Sequence, residues 1–303
     1  MTKEAATQRE KVNERWVFDH ALQFVCERYP ELKERVVRSL ETPQLNDHHT
    51  EGPTMESHLR LIVETLNDMA DGRFHDILAD EPEAMEFLRR SVTVQDSVDP
   101  EKEMLNPDML TYAFTHDIAK PDTLLVKLES EKGGVEMTLE DWQAAVEHGE
   151  YDMVGGKRVV SISYYHPSKK SAGQHGNMGA EILANSTAPK HLLAAIRKHE
   201  VAYQFSKINA LTYEEHFAKS DLSPEEQELA IAASYADTMA SLTAEGKPDL
   251  KNFLFLIQSR KNYLLVRSCI EAGMQFREND LRALMKQDKV LTQEDVEHTH
   301  LHR

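Results

Sequence analysis

A His-Asp doublet, His116-Asp117, closes an apolar run from Met109 to Phe114, and Lys120 follows three residues later. Imidazole and carboxylate are donors for borderline and harder first-row cations. An ammonium beside them suits a phosphate oxygen. Alone, such a doublet is more often a helix surface than a site. It gains weight from four residues of the same kinds, His58, His175, His199 and Asp237, each next to or one turn from an apolar stripe. Asp237 stands between Ala236 and Thr238 on an alanine-rich face, where a carboxylate needs a partner or a metal. The others have plainer readings too. His58 is a satisfied core histidine, His175 a helix-start residue, and His199, beside Glu200, a helix-end histidine.

Five helices would have to bring these side chains together. The first runs from about Thr54 to Ala70, with Leu59, Ile62, Val63, Leu66 and Met69 as its buried stripe. Asn106-Pro107 reads as a helix start and Pro121 as its stop, so His116 and Asp117 end that helix. His175-Gly176-Asn177 opens a third, and a fourth runs from near Pro189 to His199. Ser223-Pro224-Glu225-Glu226 is a capping box opening the fifth, which carries Asp237. Further helices are expected over 8–28, 31–40, 83–90, 253–272, 278–286 and 292–298. Residues 122–174 differ. Leu124 to Leu128 reads as a strand, Leu139 to Glu147 as a short helix, and 151–163 as a β-hairpin turning on Gly155-Gly156. A bundle lets single residues on separate helices converge on one centre.

The chain of 303 residues can bury a substantial core. Its 12 Gly and 11 Pro favour helices over an all-β design with many tight turns. The expected class is mostly all-α, a helical bundle with a small insertion containing the β-hairpin. We expect a single domain over 1–303: N-terminal helices at 1–45, a core at 46–121 and 175–245, the insertion at 122–174, and C-terminal helices at 246–303. The formal net charge of -17 disfavours a large nucleic-acid interface and leaves room for a local basic pocket. Cys26 and Cys269 suggest neither a disulfide framework nor a cysteine-based zinc site. With a polar N-terminus and no apolar run long enough to span a bilayer, a cytoplasmic protein is expected. A homo-oligomer fits the long 253–272 helix, which reads equally as core or interface.

Four stretches resemble the HD-domain superfamily: HHTEGPTMESHLRLIVETL, GQHGNMGAEIL, AIRKHE and AASYADTMAS, together with the doublet itself. The resemblance covers about Asn46 to Leu242 and makes 46–121 and 175–245 the HD core. It implies that His58, His116, Asp117 and Asp237 hold one metal, and that Asp117 bridges to a second held by His175 and His199. Iron or manganese suits that set best, and magnesium, nickel, cobalt and zinc are alternatives. It further implies a phosphohydrolase, a phosphomonoesterase or phosphodiesterase acting on a nucleotide or other small phosphoester through a hydroxide shared by the two metals. Asp117 and Lys120 are the expected catalytic residues. Lys120, Lys169, Lys170 and Arg197 are candidate phosphate contacts, although Lys120 also reads as a helix-end cation and the other three as surface charges. Two alternatives stay open: an HD-type diiron oxygenase acting on a polyol or phosphonate, and a non-catalytic nucleotide-binding module. His48 and His49 read as lining the mouth of the site, His166 as approaching from the insertion, and His298, His300 and His302 as a solvated tail.

Overall fold

The computed structural model describes residues 15–44, 49–97, 99–122, 124–129, 134–147, 150–164 and 175–301. They form a mostly helical protein with two small antiparallel sheets. In chain order the helices are α1 (Phe18–Arg28), α2 (Lys33–Leu40), α3 (Met55–Ala70), α4 (Pro82–Val92) and α5 (Pro107–Thr115). After them come α6 (Leu139–Ala145), α7 (His175–Ala184), α8 (Leu192–Lys198), α9 (Ala210–Tyr213), α10 (Pro224–Ala240), α11 (Lys251–Glu271), α12 (Glu278–Met285) and α13 (Gln293–Leu301).

The centre of the bundle is α10. Ala230, Ile231, Ala232, Ala233, Ala236 and Ala240 are all fully buried and together cover every side of the helix. A helix apolar all round belongs inside, and its small side chains let α3, α4 and α8 pack against it. Its start is fixed by the expected capping box: Ser223 Oγ accepts from the Glu226 amide, and the Ser223 amide donates to Glu226 Oε2 at 2.8 Å. Tyr112 of α5 donates its hydroxyl to Ala233 O at 3.0 Å. This satisfies a phenol that burial would otherwise penalise by about 1–3 kcal/mol.

The α7–α8 pair needs glycine. A Cβ on Gly176 would lie 2.9 Å from Ile196 O and 3.2 Å from His199 Cε1, and one on Gly179 would lie 3.3 Å from His116 O. The two glycines let α7 lie directly on α8 and on the end of α5, which draws His175, His199 and His116 together.

The insertion is more elaborate than one hairpin. Its five strands, β3 (Leu124–Leu128), β4 (Gly134–Glu136), β5 (Val146–Glu147), β6 (Glu150–Val154) and β7 (Lys157–Tyr164), form an antiparallel sheet in the order β4-β3-β7-β6-β5. Gly155 and Gly156 both have positive φ, 55° and 73°, as a two-residue hairpin turn requires. The sheet has its own apolar cluster, including Val126, Leu139, Trp142, Val159 and Ile162. Ionic and polar contacts fasten it to α2 and the segment that follows. Arg38 meets both Asp122 and Glu140, Arg35 meets Asp122, and Gln143 donates to Glu41.

Three expectations are adjusted. The first helix begins at Phe18: Val17 is its extended N-cap, at φ -92° and ψ 141°, Arg15 and Trp16 precede it without helical structure, and residues 8–14 lie outside the described residues. A short hairpin of β1 (Thr93–Gln95) and β2 (Glu103–Leu105) precedes α5, where no strand was expected. Helix α5 ends at Thr115, one residue before the doublet. The chain then turns into a single 3₁₀ turn at Lys120–Asp122.

Candidate metal centre

His58 sits in the first turn of α3, His116 and Asp117 just beyond α5, His175 at the start of α7, His199 just beyond α8, and Asp237 on α10. All six are buried, none more than 5% exposed. Asp117 stands in the middle. Its Oδ2 is 3.1 Å from His116 Nε2 and 3.9 Å from His58 Nε2. Its Oδ1 is 3.1 Å from His175 Nε2 and 3.7 Å from His199 Nε2. Asp237 Oδ1 closes the first group, 3.2 Å from His58 Nε2 and 3.8 Å from His116 Nε2. Two triads capable of holding a cation result, His58-His116-Asp117 and Asp117-His175-His199, joined by the one carboxylate.

The ring tautomers favour this use. Nδ1 of His116 lies 3.1 Å from Ala113 O, Nδ1 of His199 lies 2.7 Å from Ile196 O, and Nδ1 of His58 lies 3.3 Å from Ala240 O. A carbonyl only accepts, so each Nδ1 carries the proton and each Nε2 is the donor atom left facing the centre. The Nε2 atoms of His58 and His116 and both oxygens of Asp117 are buried facing one another, and only the Lys120 ammonium and the ring nitrogens meet that carboxylate. So dense a set of buried polar atoms is costly unless a further group meets them. His175 Nε2 and His199 Nε2 face each other at 3.1 Å. Two nitrogens on one cation, each at about 2.1 Å, stand about that far apart. The donor set therefore fits divalent cations.

No family model, characterised protein or solved structure matches this chain.

Lys120 lies at the same carboxylate, its Nζ 2.8 Å from Asp117 Oδ2, and is only 4% exposed. Burial alone would lower its pKa, but the Asp117 charge reverses that and raises it, so the ammonium is kept. Burial likewise opposes ionisation of Asp117, and the charges of His116 and Lys120 overcome it and hold the carboxyl well below its usual range. Desolvation lowers the pKa of His199. In His175 it is outweighed by Glu200 and Asp117, and the pKa rises.

The structure adds two residues that sequence reasoning left without a role. Glu51 reaches His58 from behind, its Oε1 3.2 Å from His58 Nδ1, and the contacts with His49 and His58 overcome burial to bring its pKa to about 2. Its signal was the His-rich stretch before α3. Tyr164, at the end of β7, places its ring 4.6 Å from Lys120 Nζ and donates its hydroxyl to Pro43 O at 2.6 Å. Nothing in the sequence marked it, because the register that delivers it depends on the whole sheet. Arg197 is exposed on the last turn of α8. His49 is partly buried, its ring T-shaped to that of His58 with the centroids 5.2 Å apart. Lys169, Lys170, His48, His166 and His302 lie outside the described residues. His298 and His300 lie on α13, His300 bonded to Gln275 O.

Proposed function

We propose that this chain is a metal-dependent phosphohydrolase of the HD type, acting on a nucleotide or another small phosphoester. The observation that supports it best is the split of Asp117, one oxygen towards His58 and His116 and the other towards His175 and His199. Two divalent cations bound there, iron or manganese by donor preference, would supply Lewis acidity and acidify water for attack on phosphorus.

The protein's own side chains do the rest. Asp117 is held in orientation by Lys120 on one oxygen and by histidines on both, so the bridge is built before substrate arrives. Lys120 presents a permanent positive charge at the place where negative charge grows on a phosphoryl group, and the Tyr164 ring keeps that ammonium against the site. Burial of all six donors excludes bulk water and strengthens each interaction. The net charge of -17 favours small substrates over long nucleic acids. Among the described residues no helix is long and apolar enough to cross a membrane, and both cysteines are free. A cytoplasmic enzyme suits these features.

The test is an anaerobic phosphoester panel: mononucleotides, dinucleoside polyphosphates, cyclic phosphates and deoxynucleoside triphosphates, with ferrous iron or manganese. Phosphate release that needs the metal and disappears in Asp117→Ala is the expected result. Absence of release, with oxygen consumed by the ferrous protein on a polyol or phosphonate, would assign an oxygenase instead.

A further inference from the structure

Glu51 belongs to neither triad and takes no part in the chemistry above. Its side chain is 1% exposed, and all its polar contacts are with donors. Oε1 lies 2.8 Å from His49 Nδ1 and 3.2 Å from His58 Nδ1, and Oε2 accepts from the Leu242 amide at 3.2 Å. A carboxylate buried this completely is expensive unless every lone pair it turns inward is met. The segment that carries it is tied down separately. Thr50 donates its amide to Leu242 O at 3.1 Å and its hydroxyl to Thr243 O at 2.6 Å. Leu242 and Thr243 follow directly on α10, which carries Asp237. Glu51 therefore joins the approach to α3 with the end of α10, the two helices that supply His58 and Asp237.

His58 Nδ1 faces two acceptors, Glu51 Oε1 and Ala240 O, so it keeps its proton whatever happens at Nε2. With Nδ1 held from behind, the ring can turn only one nitrogen to the centre. We infer that Glu51 is a positioning residue for the His58-His116-Asp117 triad, fixing the ring and tautomer of His58 so that Nε2 meets the cation. Outer carboxylates do this for metal-binding histidines generally. The inference rests on the metal-centre reading. Its competitor is a third cation held by His49, Glu51 and His58, which can also be grouped as donors. The spacings of 2.8 and 3.2 Å and the second acceptor on His58 Nδ1 favour hydrogen bonds over that ion.

The experiment titrates metal-free, full-length wild type, Glu51→Gln and Thr50→Ala with Mn²⁺ by calorimetry, and records the histidine ring ¹⁵N spectrum of each. Glu51→Gln keeps the volume and removes the charge. It is expected to weaken one cation about 10- to 100-fold, leave the other unchanged, and shift the His58 Nδ1–H resonance. Thr50→Ala loosens the same segment but keeps the carboxylate, and should bind as wild type does. Should Glu51→Gln fold poorly, Glu51→Asp, which keeps the charge on a shorter arm, takes its place and should weaken the same single cation. Unchanged affinity in Glu51→Gln overturns the inference, as does an equal loss in Thr50→Ala or a third cation in wild type that Glu51→Gln loses. A wild-type chain that binds no cation overturns the metal-centre reading instead, and this inference with it.

Discussion

Gly176→Ala separates positioning from chemistry. The added methyl would sit 2.9 Å from Ile196 O, a backbone atom, and 3.2 Å from His199 Cε1. Ile196 O cannot swing aside, because it is fixed in α8 and accepts from His199 Nδ1 at 2.7 Å. Relief needs a retreat of α8 by about half an ångström, in a packed interior that resists such shifts. Overpacking of this kind costs about 1–3 kcal/mol. Replacing a helical glycine returns about 1 kcal/mol, so the net loss of stability is about 0–2 kcal/mol and the protein stays folded. The metal effect is separate. Site residues must be held within about 0.5 Å of their working geometry, and His199 moves with Ile196. We expect the cation held by Asp117, His175 and His199 to bind at least about tenfold more weakly, in line with the losses seen when a ligand's support is disturbed. The cation at His58 and His116 should keep its affinity. Calorimetric titration of the metal-free variant, beside a thermal melt, reads both numbers. Two cations bound with wild-type affinity would refute the reasoning, because the ring could not then depend on the glycine contact.

Other outcomes follow from the same geometry. Lys120→Met should lower turnover by about 10²- to 10³-fold, as loss of a charge-stabilising donor does, and should tighten metal binding because a competing ammonium leaves Asp117; unchanged turnover, read in a steady-state assay, would remove Lys120 from the mechanism. Metal binding should strengthen as pH rises from 7 to 9. Burial lowers the His58 pKa, but contact with Asp237 and Glu51 outweighs it and raises the value to about 9, so each cation that takes Nε2 displaces a proton and affinity climbs by up to about tenfold per unit. The sign for metal-free stability is the reverse: the contribution of this raised pKa is complete below about 6.5, the unfolded value, and is lost as pH passes through about 9. Melts of metal-free protein between pH 6 and 10 check it, and a flat profile contradicts it. Tyr164→Leu should raise KM or lower kcat while two cations remain bound, and Tyr164→Phe, which loses only the bond to Pro43 O, should cost about 1 kcal/mol of stability.

The sequence shows the helices of the core because their stripes are regular: Leu59 to Met69 on α3, and the capping box and alanines of α10. Six chemistry-bearing residues, one or two per helix and each beside a buried stripe, could be named together, and the structure brings them within a few ångströms. What stayed hidden depends on contacts between distant segments. Glu51 meets His58 where its segment is laid along Leu242, the Thr50 amide on Leu242 O and the Leu242 amide on Glu51 Oε2, across some 190 positions. Tyr164 reaches Lys120 through the register of β3 against β7, Leu124 opposite Tyr164, which local propensity does not fix. The short helical turns over 201–218 had no periodic stripe to reveal them. Trp16 and Val17 misled for the opposite reason. They fit a helical period, yet Val17 is 58% exposed, and Trp16 is held by Asn67, which exchanges bonds with its amide and carbonyl.

The bridging role proposed for Asp117 is open to one direct measurement. Metal-free protein is titrated with Mn²⁺ and followed by electron paramagnetic resonance, which distinguishes two ions sharing a ligand from isolated ones. Two ions per chain with a spin-coupled spectrum, replaced by an uncoupled signal in Asp117→Asn, is the expected result. Fewer than one ion per chain, or two that remain uncoupled in the wild type, would contradict a centre built across Asp117.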